Sequence, residues 1–190
     1  MTEPQDSMQK IWQEQPVEGI TMPAEVIRKR AARFERKIRW RNYREYAASL
    51  IAAAMLGYFV VTTHDALSRA AFGLFLAGLG WIVVQLHRKG APKSMPPGLD
   101  TLTCLRFYRS ELERQRAMVA SVWSWYLAPL VPGMVVYTVG RAIQSPRPAA
   151  WAGLLLFDGG VAAAFLFIWK LNMRAARCLE HTIDELKRTE

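Results

Sequence analysis

The sequence predicts an all-α membrane protein. It has four transmembrane helices, both termini in the cytoplasm, and helices 1, 3 and 4 extended into a cytoplasmic helical bundle. Three observations predict this. First, four runs are nearly free of charge: 18 residues at 46–63, 17 at 70–86, 24 at 117–140 and 22 at 148–169, the last interrupted only by Asp158. A soluble core helix rarely goes uncharged for so long, because one of its faces must meet water. Second, of the 25 Lys and Arg, 22 lie in residues 1–45, 87–116 and 170–190, whereas the other two connections share only Arg69, Arg141 and Arg147. That asymmetry puts both ends and the middle loop in the cytoplasm. Third, the charged flanks of three runs carry narrow apolar stripes at helical spacing, which need partners.

The balance of the composition agrees. A mean hydropathy of +0.03 is an average over strongly segregated segments. The net charge of +9 follows topology and suits anionic headgroups, so nucleic acid is not expected as a partner. The first 26 residues are polar, with no apolar core segment, so the first transmembrane helix is expected to direct insertion. Cys104 and Cys178 both fall outside the apolar runs and imply no disulfide framework. The chain reads as a cytoplasmic tail at 1–22 followed by a single membrane domain at 23–190.

The elements can be justified in order. Within the tail, Met8, Ile11 and Trp12 form a short apolar cluster. It suits a linear motif docking into a partner, packing against the protein's own helices or lipid, or a disordered end. Thr21 is an expected N-cap, with Pro23 and Glu25 in the first turn of a long helix. Nine of the 17 residues at 28–44 are Lys or Arg. Ile27, Ala31, Phe34 and Ile38 nevertheless recur at 4, 3 and 4 residues, an apolar stripe through the charge. Trp40, Tyr43 and Tyr46 sit where an aromatic belt meets the membrane surface. One helix through this segment and the run after it is about 60 Å long, twice the hydrocarbon thickness of a bilayer.

Asp65 is the expected N-cap of the second helix. That helix should pack against the first through Gly73, Gly78 and Gly80, since small residues let membrane helices approach closely. The Gly/Pro-rich stretch HRKGAPKSMPPGLD makes a loop. Asp100 or Thr101 caps a third helix, where Leu102, Leu105, Tyr108 or Arg109, and Leu112 form a stripe that leads into the third run. Trp169 and Lys170 mark the last membrane exit, and Ala175, Leu179, Ile183 and Leu186 continue on one face. A cytoplasmic bundle continuous with the membrane bundle hides all three stripes.

Asp158 is the one ionisable residue inside a run. A carboxyl group in lipid is expected to face the bundle interior, to be protonated, or both. Pro129 and Pro132 cannot donate backbone hydrogen bonds, which frees the carbonyls of Trp125 and Ala128 as acceptors. Ser121, Ser124 and Tyr126 are alternative partners. Asp158 then serves as a proton or cation site, an interhelical hydrogen bond or a contact with a partner helix. Cys178 and His181, with Cys104, are too few for a metal, and His64 and His87 lie on opposite membrane sides. No Gly-rich phosphate loop, GxSxG, HExxH or paired-carboxylate arrangement is present. The chain therefore reads as a non-enzyme with no cofactor and no metal.

Through the phrases IWQEQP, RKIRWRNYREY, CLRFYRSELERQR and SVWSWYLAPLVPG the chain resembles, over most of its length, a group of small four-helix bacterial inner-membrane proteins. These are associated with gene neighbourhoods of extracytoplasmic-function sigma factors and have no assigned activity. The resemblance implies a membrane-anchored regulator that holds a cytoplasmic protein. The HxxxCxxC motif of zinc-binding anti-sigma domains is absent, so an anti-sigma-like role would have to use the tail and the basic helix. The expected partner contacts are Ile11, Trp12, Arg28, Arg30, Phe34 and Arg41. Two other classes stay open: a small oligomeric transporter or proton-coupled protein using Asp158, and an assembly subunit of a larger membrane complex.

Overall fold

The computed structural model describes residues 23–144 and 148–188. The Ile11 and Trp12 segment and the Thr21 cap lie outside the described residues. Every regular element among those residues is helical. Five α-helices occur: α1 (Ala24–Thr62), α2 (Ala66–Gly90), α3 (Thr101–Ala120), α4 (Val131–Gln144) and α5 (Pro148–Lys187). Four stretches are long and apolar enough to cross a membrane: within α1, in α2, at Trp123–Gln144 and within α5. The chain is a multi-pass membrane protein on that evidence.

The boundaries follow local chemistry. α1 starts after Pro23, whose carbonyl accepts from the amides of Val26 and Ile27. Its far end is closed by Arg69, whose Nε and Nη2 donate to the Thr63 carbonyl at 3.2 and 2.9 Å. A cation thereby meets the negative end of the helix dipole. Asp65 caps α2, accepting from the Ser68 amide at 2.7 Å, and Asp100 caps α3, accepting from the Thr103 amide at 3.4 Å. Between α2 and α3 the chain turns at Gly98, whose φ of 83° favours glycine. This loop is tied down by Arg28 Nη2 donating to the Leu99 carbonyl at 2.7 Å and Ser94 Oγ donating to Glu35 at 2.6 Å.

The third apolar run is not regular α-helix throughout. α3 stops at Ala120. A π-helical turn follows at Trp123–Leu127, then a 3-10 turn at Ala128–Leu130, before α4 begins. Pro129 explains the break. It lacks the amide that would bond the Trp125 carbonyl, and its ring crowds that carbonyl, so the backbone widens and then tightens around it. The Trp125 indole Nε1 donates to the Met118 carbonyl at 3.0 Å, and the Ser121 and Ser124 hydroxyls donate to nearby carbonyls at 2.9 to 3.1 Å. The carbonyls of Ala117, Met118 and Ser121 at the start of the break are thus supplied with side-chain donors.

In the apolar half α2 is central, packed against α1 on one side and α4 on the other. Of its glycines, Gly73 and Gly80 face open space, whereas a Cβ at Gly78 would collide with the Pro129 carbonyl. The small residue therefore serves the approach of the 3-10 turn, and not that of α1. On α4, Gly133 lies under the Phe75 ring and Gly140 under Leu67. An aromatic chain crosses all four membrane helices, from Phe59 to Phe72 to Tyr137 to Phe157, with ring centroids 5.1, 5.9 and 5.7 Å apart.

In the charged half α5 packs along α3, and α1 packs on α3. Ile27, Cys104, Leu105, Tyr108, Leu112, Ile183 and Leu186 form a buried core, closed by Ala31, Phe34, Met95, Leu99 and Leu179. α1 and α5 barely meet, so a cleft remains between them.

Candidate functional site

At the junction of the two halves a chain of buried polar groups joins α1, the end of α2 and α3. Asn42 is buried and donates through Nδ2 to the Gly90 carbonyl at 2.8 Å. Arg41 Nη2 donates to Asn42 Oδ1 and Gln115 Oε1, both at 3.3 Å. Gln115, only 2% exposed, donates to Glu111 at 3.3 Å. Glu111 pairs with Arg114 at 2.6 Å, and Arg114 reaches on to the Lys89 and Ala91 carbonyls. Such a network fixes the relative positions of three helices, because each group left unpaired in this setting costs about 1–3 kcal/mol.

Arg41 is the half-buried member at the edge of this network. Burial pulls its guanidinium below its ordinary value, opposed by the charge of Glu45, yet a guanidinium remains a cation in a protein. Glu45 in turn accepts from the Tyr126 hydroxyl at 3.2 Å. Arg41 borders the cleft, a cavity of 710 Å³ whose walls come from α1 (Phe34, Lys37, Trp40, Arg44), α3 (Gln115, Val119) and α5 (Ala175, Cys178, Leu179). A second cavity of 230 Å³ shares Arg41, Glu45 and Val119 with it and continues along Val122, Trp125, Ile168 and Leu171. A basic mouth thus leads to an apolar floor.

The residues expected to meet a partner are divided. Arg28 is exposed but occupied by the Leu99 carbonyl, and Arg30 is exposed. Phe34 turns inward, edge-on to Tyr108 at 6.2 Å. Arg41 points into the junction. Only the two arginines near the start of α1 lie open at the surface. Gln115 and Asn42 are central to the junction, but sequence reading passed over them. The available signal was a polar amide on an otherwise apolar stripe.

Asp158 takes a partner other than those expected. Thr138 Oγ1 lies 3.0 Å from each of its carboxyl oxygens, joining α5 to α4. The carbonyls of Trp125 and Ala128 belong to the interrupted segment near the junction, while Asp158 lies beside the aromatic chain through its neighbour Phe157. Cys104 is buried and donates to the Leu99 carbonyl at 3.6 Å, Cys178 is exposed, and His181 pairs with Glu185 at 3.2 Å. Among the described residues no group of three His, Cys, Asp or Glu is placed to hold a metal.

Comparison of the chain with protein-family models, with curated proteins and with solved structures finds no match. The site's geometry alone carries the functional reading.

Proposed function

We propose that the protein is an integral inner-membrane regulator or adaptor, with both termini and the charged halves of α1, α3 and α5 in the cytoplasm. One observation carries this reading. α1 and α5 run well past their apolar runs and, with α3, pack on a core of their own, far more structure than anchoring needs. Their outer face, with Arg28 and Arg30 at one end, would present the binding surface, together with the segment around Ile11 and Trp12. An anti-sigma-like role is one form of this activity. A transporter reading has less support, because the Thr138 bond gives Asp158 a structural task between α4 and α5.

The test compares mild-detergent affinity purification of the full-length protein with a form lacking residues 1–22 and an Arg28→Glu/Arg30→Glu variant. A cytoplasmic protein recovered with the full-length chain and lost from both altered forms is the expected outcome. If all three forms carry the same membrane protein, the assembly-subunit reading replaces it. Substituted-cysteine labelling from either side of the membrane, at introduced positions near 35 and 65, checks the orientation.

A further inference from the structure

The cleft between α1 and α5 has a chemistry that the adaptor reading does not use, and the argument from it needs only that the apolar runs lie in a bilayer. Three cations, Lys37, Arg41 and Arg44, stand at its mouth, with Glu45 as the only acid on its walls. None of the three cations forms an ion pair among the described residues. Arg41 is the unusual one. It is partly withdrawn from water, its Nη2 donates only to neutral amide oxygens, and its Nε and Nη1 have no hydrogen-bond partner among the described residues. With one carboxylate, Glu45, set against three cations, this half-buried guanidinium keeps open donors that an anion with several oxygens would complete.

The position of the cleft selects the kind of anion. Trp40, largely exposed, lines the mouth beside these cations, at the level where aromatic residues meet headgroups. Below them the groove continues over Val119, Val122, Ile168 and Leu171, toward the runs that lie in hydrocarbon. A free phosphate would have no use for this apolar extension. The sparse contact between α1 and α5 leaves a side entrance that needs no passage through water. A volume of 710 Å³ falls in the range of small-molecule sites, about 300–1,000 Å³.

We infer that this cleft is a specific site for an anionic glycerophospholipid, its phosphate held by Arg41 and Arg44 and an acyl chain lying along the floor formed by α3 and α5. The lipid fills the gap between the two long helices and so takes part in holding their charged halves together.

The test uses native mass spectrometry of the full-length protein in mild detergent with phosphatidylglycerol, phosphatidylcholine or inorganic phosphate. One phosphatidylglycerol per chain, retained in preference to phosphatidylcholine, is expected. Arg41→Ala/Arg44→Ala should lower that preference about tenfold or more, while Arg28→Ala/Arg30→Ala, on the same helix but away from the cleft, should not change it. Ala175→Trp leaves the cations in place and blocks the floor from an exposed position, and should abolish lipid retention. The two cysteines supply an internal control. Cys178 lines the cleft and is exposed, whereas Cys104 is fully buried. Phosphatidylglycerol should slow maleimide modification of Cys178, and an unreactive Cys104 reports an intact fold in each variant. If the arginine variant exposes Cys104, Ala175→Trp alone decides. Equal retention of both lipids, retention that survives Ala175→Trp, or displacement of the lipid by inorganic phosphate would overturn the inference. So would protection of Cys178 by dimerisation in the absence of lipid.

Discussion

The two halves of the long helices solve the same problem in opposite ways. In the charged half of α1 the apolar residues turn inward. Ile27 is fully buried and Ile38 nearly so, while the arginines around them face outward. In the apolar half of the same helix, none of the 18-residue window is buried, and the same holds for α5. Leu50, Val61, Leu155 and Leu156 are more than 70% exposed. In water a stripe of Ile and Leu must be covered, and the hydrophobic effect assembles α1, α3 and α5 around it. In lipid the solvent is as apolar as leucine, so nothing drives these side chains inward. Close steric fit and a few polar bonds then choose the neighbours. Packing by burial in one half and packing by fit in the other should respond differently to mutation.

The largest effect should come from the buried core of the charged half. Leu112→Ala or Leu105→Ala is expected to destabilise by about 2–5 kcal/mol, seen as a large fall in the apparent melting temperature of the detergent-purified protein. Leu156→Ala, in the exposed apolar half of α5, should change it by about 0.5 kcal/mol or less. Similar losses at both positions would erase the distinction. Next comes steric fit. Gly78→Val drives a side chain into the Pro129 carbonyl and should cost about 1–3 kcal/mol, whereas Gly80→Ala, which faces open space, should be neutral or slightly stabilising in the same melt.

A smaller effect is expected from the polar bond inside the membrane. Thr138→Val should cost about 0.6–1.7 kcal/mol, the range for interhelical hydrogen bonds in membranes. In a double-mutant cycle with Asp158→Asn the two losses should not add, and full additivity would show that the pair is not coupled. The smallest is a pH effect at the turn between α1 and α2. Hydrogen bonds from Ser68 and Gln144 hold the Asp65 carboxyl down at about 2, from an ordinary 3.8. A carboxylate whose folded value is depressed gives its full stabilisation above the ordinary value and loses it as pH falls toward the folded one. The melting temperature should thus decline between pH 3.8 and about 2, and Asp65→Ala should flatten that part of the profile. Asp65 lies at the surface, only partly covered, so water screens its interactions and the change should be small.

The parts of this architecture that depend on one helix at a time could be read directly. Charge-free runs located the membrane segments. Asp65 and Asp100 were legible as caps because an N-cap acts on its own first turn. The stripe from Ile27 to Ile38 was legible because a helix repeats on itself. What escaped depends on how helices rotate against each other. Thr138 gave no sign of being opposite Asp158, and Gly78 looked no different from Gly73 or Gly80. Arg41 read as a partner contact alongside Arg28 and Arg30, and nothing in the sequence set it apart as the one bonded to Asn42 and Gln115 at the edge of the cleft. The break at Trp123–Leu127 lies between these cases. Pro129 and Pro132 mark a break in the helix, but a proline alone does not specify the π-helical and 3-10 turns that accommodate it.

One feature of the long helices has a mechanical side. α1 spans 39 residues and α5 spans 40, and neither has a proline beyond its first residue. Each is a continuous rod of about 60 Å, in contrast to the α3–α4 segment, whose α-helical ladder is interrupted around Pro129. A rod tilts as a whole when the bilayer around it thins or thickens. A tilt of about 10° about the junction moves an end 30 Å away by about 5 Å, close to one turn of helix. A change of bilayer thickness that tilted α1 would therefore displace Arg28 and Arg30 at its other end.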